Sequence, residues 1–115
     1  MARVFIDDTG QEQAVEIVSH PTAEIGHGVK NVATAGTPLP LVAVSTPALW
    51  VIIQAQTDNA GIVAIGGADV DATVSTGTGI ALTAGQSIQI PCSDLALLFV
   101  DALTNNDGVR FLYGN

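Results

Sequence analysis

Positive charge is nearly missing from this chain. Three Lys and Arg stand against eleven Asp and Glu, a formal net charge of -8. Affinity for nucleic acid comes largely from cations that displace counterions at phosphates, so DNA, RNA and anionic membrane surfaces are disfavoured as partners. Cysteine is as scarce: Cys92 stands alone, no disulfide can form within the chain, and stability has to come from packing or assembly. No apolar run reaches the roughly 18 to 20 residues that cross a bilayer as a helix. Asp7-Asp8 interrupts the N-terminus before a signal-peptide core develops, so neither a membrane span nor a secretory leader is expected.

Aromatic residues make up 4% of the chain and charged residues 12%, the latter about half the ~25% of an average soluble domain. The hydrophobic share is nonetheless 48%, which excludes a disordered chain. A length of 115 residues fits one domain. So many apolar side chains over one small core leave a surplus, and that surplus is expected to cover another protein surface.

Charge divides the chain. Residues 1 to 28 hold Asp7, Asp8, Glu12, Glu16 and Glu24, both histidines and Arg3, with short apolar pieces at Val4-Phe5-Ile6 and Ala14 to Val18. They are expected to form an N-terminal arm, either a tether or a further strand of the domain. His20-Pro21 ends any helix there. Residues 29 to 115 carry short apolar segments separated by turn formers about every ten residues, the pattern of an all-β fold, here a single antiparallel, jelly-roll-like β-sandwich. The expected strands are Val29 to Ala35, Leu39 to Val44, Leu49 to Gln56, Gly61 to Gly66, Gln86 to Ile90, Leu95 to Asp101 and Val109 to Tyr113. Period-two spacing assigns Val51, Ile53, Val63, Ile65, Ile88, Ile90, Leu98 and Val100 to the core.

Turn chemistry supports these divisions. Asp58-Asn59-Ala60-Gly61 suits a hairpin, Thr83-Ala84-Gly85-Gln86 a type II turn with Gly85 at positive φ, and Asn105-Asn106-Asp107-Gly108 the link between the last two strands. Pro38, Pro40 and Pro47 confine their stretch to sheet edges or corners. Leu49 to Ile53 and Leu95 to Val100 are continuously apolar, as strands covered on both faces would be. Ile52, Leu97 and Phe99 are therefore candidates for a subunit contact, and the second run could also be a buried helix.

Sites for chemistry are weak. There is no Gly-x-Ser-x-Gly elbow, and His20 and His27 match no common metal-ligand spacing. On a strand, Asp69 and Asp71 would face one side, and Asp58 could approach them from a neighbouring loop. The glycine and distal glutamate of a calcium loop are missing, so solubilising carboxylates are the better account. Gly61 to Gly67 and Thr76-Gly77-Thr78-Gly79 lack the continuations of nucleotide-binding loops. Cys92 has no adjacent cation to activate it, and Trp50 is a core plug or an interface anchor. No catalytic residue, cofactor or metal ligand is assigned, and no enzyme activity is expected.

Asn31 to Leu41 leading to Trp50-Val51-Ile52-Ile53-Gln54-Ala55, then Val63 to Val70, Ile80 to Ile88, Leu98 to Ala102 and Val109 to Tyr113, form an ordered series over residues 32 to 115. The series resembles the small β-sandwich structural proteins of tailed bacteriophages, the group of capsid decoration or cement proteins and head-fibre bases. That resemblance implies a non-enzymatic virion protein on the outer capsid surface, bound to the major capsid protein. A homo-oligomer, trimer or dimer, is expected from the apolar surplus. The arm lies outside the resemblance. Val4, Phe5, Ile6, Val15 and Ile17 are its candidate partner contacts, and Arg3, Lys30 and Arg110 the few cations available for attachment. The rival reading is a receptor- or carbohydrate-binding module of a head or tail fibre, although sugar sites usually expose aromatics and this chain has few.

Overall fold

The structure is a computed structural model. It describes residues 24–115, together with the backbone of two short strands near the N-terminus, β1 (Val4–Ile6) and β2 (Glu12–Ala14). β1 and β2 pair antiparallel as a sheet of their own. The side chains of Val4, Phe5 and Ile6, and all of Val15 and Ile17, lie outside the described residues.

Eight further strands follow: β3 (Ile25–Asn31), β4 (Leu39–Pro40), β5 (Trp50–Ala55), β6 (Val63–Gly66), β7 (Ile80–Leu82), β8 (Ser87–Pro91), β9 (Phe99–Ala102) and β10 (Gly108–Gly114). They form two four-stranded antiparallel sheets, ordered β3-β10-β5-β8 and β4-β9-β6-β7. The fold is all-β, as the segment spacing indicates. Every connection except β6 to β7 passes from one sheet to the other. Asp58 to Gly61 is therefore not a hairpin turn: it carries the chain from β5 in one sheet to β6 in the other.

The core fills the space between the sheets. Val51, Ile53, Ala55, Val109 and Phe111 come from the first sheet and Val63, Ile65, Leu82, Val100 and Ala102 from the second, with Val32, Leu41, Ala48 and Leu95 added from outside the strands. Ile88, Ile90 and Leu98 pack against this cluster half-buried. All eight core positions expected from the period-two pattern thus contribute.

The first long strand begins earlier than the pattern indicates. Residues 25–28, expected in the arm, belong to β3, and Val32 to Ala35 have already left it. The reason is side-chain substitution across the sheet. Gly26 and Gly28 offer no inward side chains, so the segment does not read as a strand, yet the Tyr113 and Phe111 rings of β10 lie over those glycines. A Cβ added at Gly28 would stand 2.6 Å from the Phe111 ring, so the glycine leaves the space that an aromatic neighbour fills. The two rings stack with centroids 6.2 Å apart.

The apolar run from Leu95 is neither one strand nor a helix of useful length. Leu95–Leu97 form a 3-10 turn capped by the Asp94 side chain, and the strand starts only at Phe99. β7, absent from the expected strands, pairs with β6 from Val63↔Leu82 to Ile65↔Ile80. Thr83 to Gln86 forms the expected turn, with Gly85 at φ 84 and the Gln86 amide donating to the Thr83 carbonyl at 2.9 Å. Pro40 and Pro91 both sit in edge strands, where no ladder donor is missed.

The long β6–β7 connection folds back over the outer face of the second sheet, where Val70 and Ala72 pack on Ala64 and Phe99. Asp101, opposite Ala64 in the register and 1% exposed, anchors it by accepting the Ala72 amide at 2.8 Å and the Gly36 amide at 3.0 Å. Asp101→Ala should leave the buried Ala72 amide without an acceptor, while Gly36 keeps the Ala102 carbonyl at 3.3 Å and solvent, and should cost about 1 to 3 kcal/mol. Chemical denaturation measures the loss, and faster amide exchange at Ala72 locates it. Gly28→Ala should cost about 1 to 3 kcal/mol by forcing the Phe111 ring aside. Gly67→Ala, where a Cβ meets nothing within 4 Å, should show no such loss.

Candidate functional site

Antiparallel register sets the outer face of the first sheet. Where the inward residues of β5 are Val51, Ile53 and Ala55, the outward ones are Trp50, Ile52 and Gln54. Following the pairs across the sheet gives three rows: Val29, Arg110, Gln54, Ser87; then His27, Leu112, Ile52, Gln89; then Ile25, Gly114, Trp50, Pro91. Ile25 and Val29 are more than half exposed and Leu112 is 40% exposed. A groove of about 520 Å³ runs over this face, with Val29, Ile52 and Leu112 as its apolar lining and His27, Gln54 and Arg110 among its polar groups.

The charge on this sheet is unlike that of the chain as a whole. No Asp or Glu occurs in β3, β5, β8 or β10, whereas Lys30 and Arg110, the two cations among the described residues, both do. The Arg110 Nε donates to Gln56 Oε1 at 3.2 Å. Both residues also line a smaller polar pocket of about 330 Å³ with Asn31, Thr57, Asp58, Asn59 and Asn106. Arg110 thus stands between an apolar groove and an amide-rich pocket, held from one side by a neutral partner.

Most of the described acids are engaged in loops elsewhere. Asp107, buried, accepts the amides of Ala60 and Gly61, and Asn59 exchanges two hydrogen bonds with the Gly108 backbone. Asp71 accepts from the Thr73 amide and hydroxyl, and the hydroxyl bond foremost lowers its pKa. Among the described residues no three His, Cys, Asp or Glu side chains are grouped to hold a metal ion.

Asp94 marks a second apolar area. Its carboxylate accepts from the Ser45 hydroxyl and from the Thr46 and Ala96 amides, joining two segments that expose Val44 and Leu97. The Ser45 bond is the leading cause of its lowered pKa, with the two amides adding to it. Cys92 is half-buried against the core, and desolvation raises its pKa, which leaves little thiolate.

The three expected contact residues therefore part company. Ile52 is in the groove, Leu97 is 63% exposed beside Asp94, and Phe99 packs on its own chain's loop. Val29, Leu112 and the apolar side of the groove were not among the expected contacts. The missing carboxylates of four separate segments are visible in the sequence, but only the strand order shows that those segments are neighbours. No protein-family model matches the chain, and comparison with curated proteins and with solved structures finds no match.

The lowered pKa of Asp94 has a pH consequence. Its stabilising effect is complete above the ordinary aspartate value, about 3.9, and is lost as pH falls through its lower value in the fold. Asp94→Asn should make the acid limb of the melting temperature against pH shallower. An unchanged limb in the variant would contradict this.

Proposed function

We propose that this chain is a non-enzymatic structural protein, a decoration or cement protein of a phage capsid, that associates with copies of itself and binds the outer surface of the shell. The observation that carries the reading is the carboxylate-free, apolar outer face of the β3-β10-β5-β8 sheet in a protein of net charge -8. Like-charged acidic surfaces repel, so the least acidic face is the one suited to contact. The area exposing Val44 and Leu97 offers a second apolar surface at the Asp94 loops. The resemblance over residues 32 to 115 supplies the virion setting.

The jelly-roll form of the body is supported by strand order. The first and last of the eight strands are neighbours, and all connections but one cross between sheets, as in the double-sheet jelly rolls of viral capsid and lectin domains. The amide-rich pocket beside Arg110 favours a second reading, a receptor- or carbohydrate-binding module of a fibre.

Quantitative mass spectrometry of purified particles separates the two. The decoration reading expects this chain in a copy number comparable to that of the major capsid subunit, retained through a moderate salt wash because attachment is chiefly apolar. A few copies per particle, with glycan binding abolished by Asn106→Ala, would support the fibre reading instead. Absence from particles would overturn both.

A further inference from the structure

We infer that the groove on the outer face of the β3-β10-β5-β8 sheet receives the β1–β2 segment of a second copy of this chain. The inference rests on the assembly half of the proposed function and names the occupant of that face; it does not depend on the capsid.

Charge complementarity is the first support. The groove presents Arg110 and His27 and no carboxylate. The N-terminal 23 residues carry Asp7, Asp8, Glu12 and Glu16 against Arg3 alone, and set apolar Val4-Phe5-Ile6 directly before the Asp7-Asp8 pair. A segment that joins apolar residues to adjacent carboxylates matches a groove in which Val29, Ile52 and Leu112 lie next to a guanidinium. Burial of both apolar parts would strengthen the charge interaction by excluding water.

Pairing is the second. β1 and β2 are hydrogen-bonded to each other and to no strand of either four-stranded sheet. A two-stranded unit by itself is marginal in water and requires a surface to pack on. The self-association of the proposed function selects a neighbour's segment over the chain's own. Glu24 enters the sheet paired with Asn115 through bonds of 3.1 and 3.0 Å, next to Ile25 and Gly114, while Arg110 lies toward the opposite end of β3, across from Val29. Glu24 thus joins the sheet at the end away from Arg110. Reciprocal exchange of this kind closes into a symmetric swapped dimer, and head-to-tail exchange into a ring, with no free groove left in either.

The test uses the full chain. Sedimentation velocity from micromolar to millimolar concentration should show an oligomer whose dissociation constant rises about tenfold or more in Arg110→Glu and again in Asp7→Lys/Asp8→Lys, as expected for close interfacial charge pairs. Combining the three substitutions should restore part of the loss. Isotope-filtered NOEs in a mixture of labelled and unlabelled protein should connect Phe5 of one copy with the Ile52 and Leu112 methyls of another. The Asp7/Asp8 variant leaves the body untouched, so it carries the test if Arg110→Glu fails to fold. A monomer at every concentration, association insensitive to either charge change, or NOEs confined to one chain would overturn the inference. An intact, charge-sensitive oligomer that fails to bind particles would instead refute the decoration reading alone.

Discussion

The fold depends on satisfying the backbone of connections that cross from one sheet to the other. A two-residue hairpin closes its own hydrogen bonds, but a crossing loop leaves amides that need acceptors from elsewhere. Three aspartates supply them. Asp107 binds the β5–β6 turn to the β9–β10 turn, Asp101 holds Gly36 in the β3–β4 crossing and also the β6–β7 loop, which stays within one sheet, and Asp94 joins the Thr46 region to the start of its 3-10 turn. Each carboxylate accepts from segments distant in sequence, and charged acceptors make stronger bonds than neutral ones. In a chain with one cysteine and a small core, these clamps do the cross-linking that a disulfide would otherwise do.

The same placement explains the uneven surface. Carboxylates located in loops, at ends and in β9 leave the β3-β10-β5-β8 sheet without any, and the glycines of β3 make room for the inward Phe111 and Tyr113 rings. The outer face is then left to aliphatic residues, amides, His27 and Arg110. The opposite sheet differs because its outer face is covered by the chain's own β6–β7 loop on Ala64 and Phe99. One sheet is thus closed by this chain and the other presents an apolar groove, and the proposed assembly follows from that asymmetry.

Much of the core was legible in the sequence because alternation is a local property: Val51 and Ile53, Val63 and Ile65, and Val100 all repeat at two-residue spacing and all are buried. Gly85 was legible for a similar reason, since a turn needs positive φ at one place. β3 was not, because its inward positions are glycines whose space is filled by aromatics more than eighty residues later. β7 was hidden by its three-residue length among Thr and Gly, and the 3-10 turn by the uniformly apolar run after Asp94. The groove needed the strand order itself, because Val29, Ile52 and Arg110 belong to three segments that no sequence interval connects. Ile52 alone was foreseeable, as the outward residue of an apolar run.

The central claim is that the outer face of the β3-β10-β5-β8 sheet is covered when the protein assembles. Hydroxyl-radical footprinting at low and high protein concentration tests it most directly, with Val74, 74% exposed on the opposite sheet's loop, as an internal reference. The account predicts falling oxidation of Val29, Ile52 and Leu112 as concentration rises, with Val74 unchanged. Oxidation of those three residues that stays constant, or falls only in step with Val74, would contradict it.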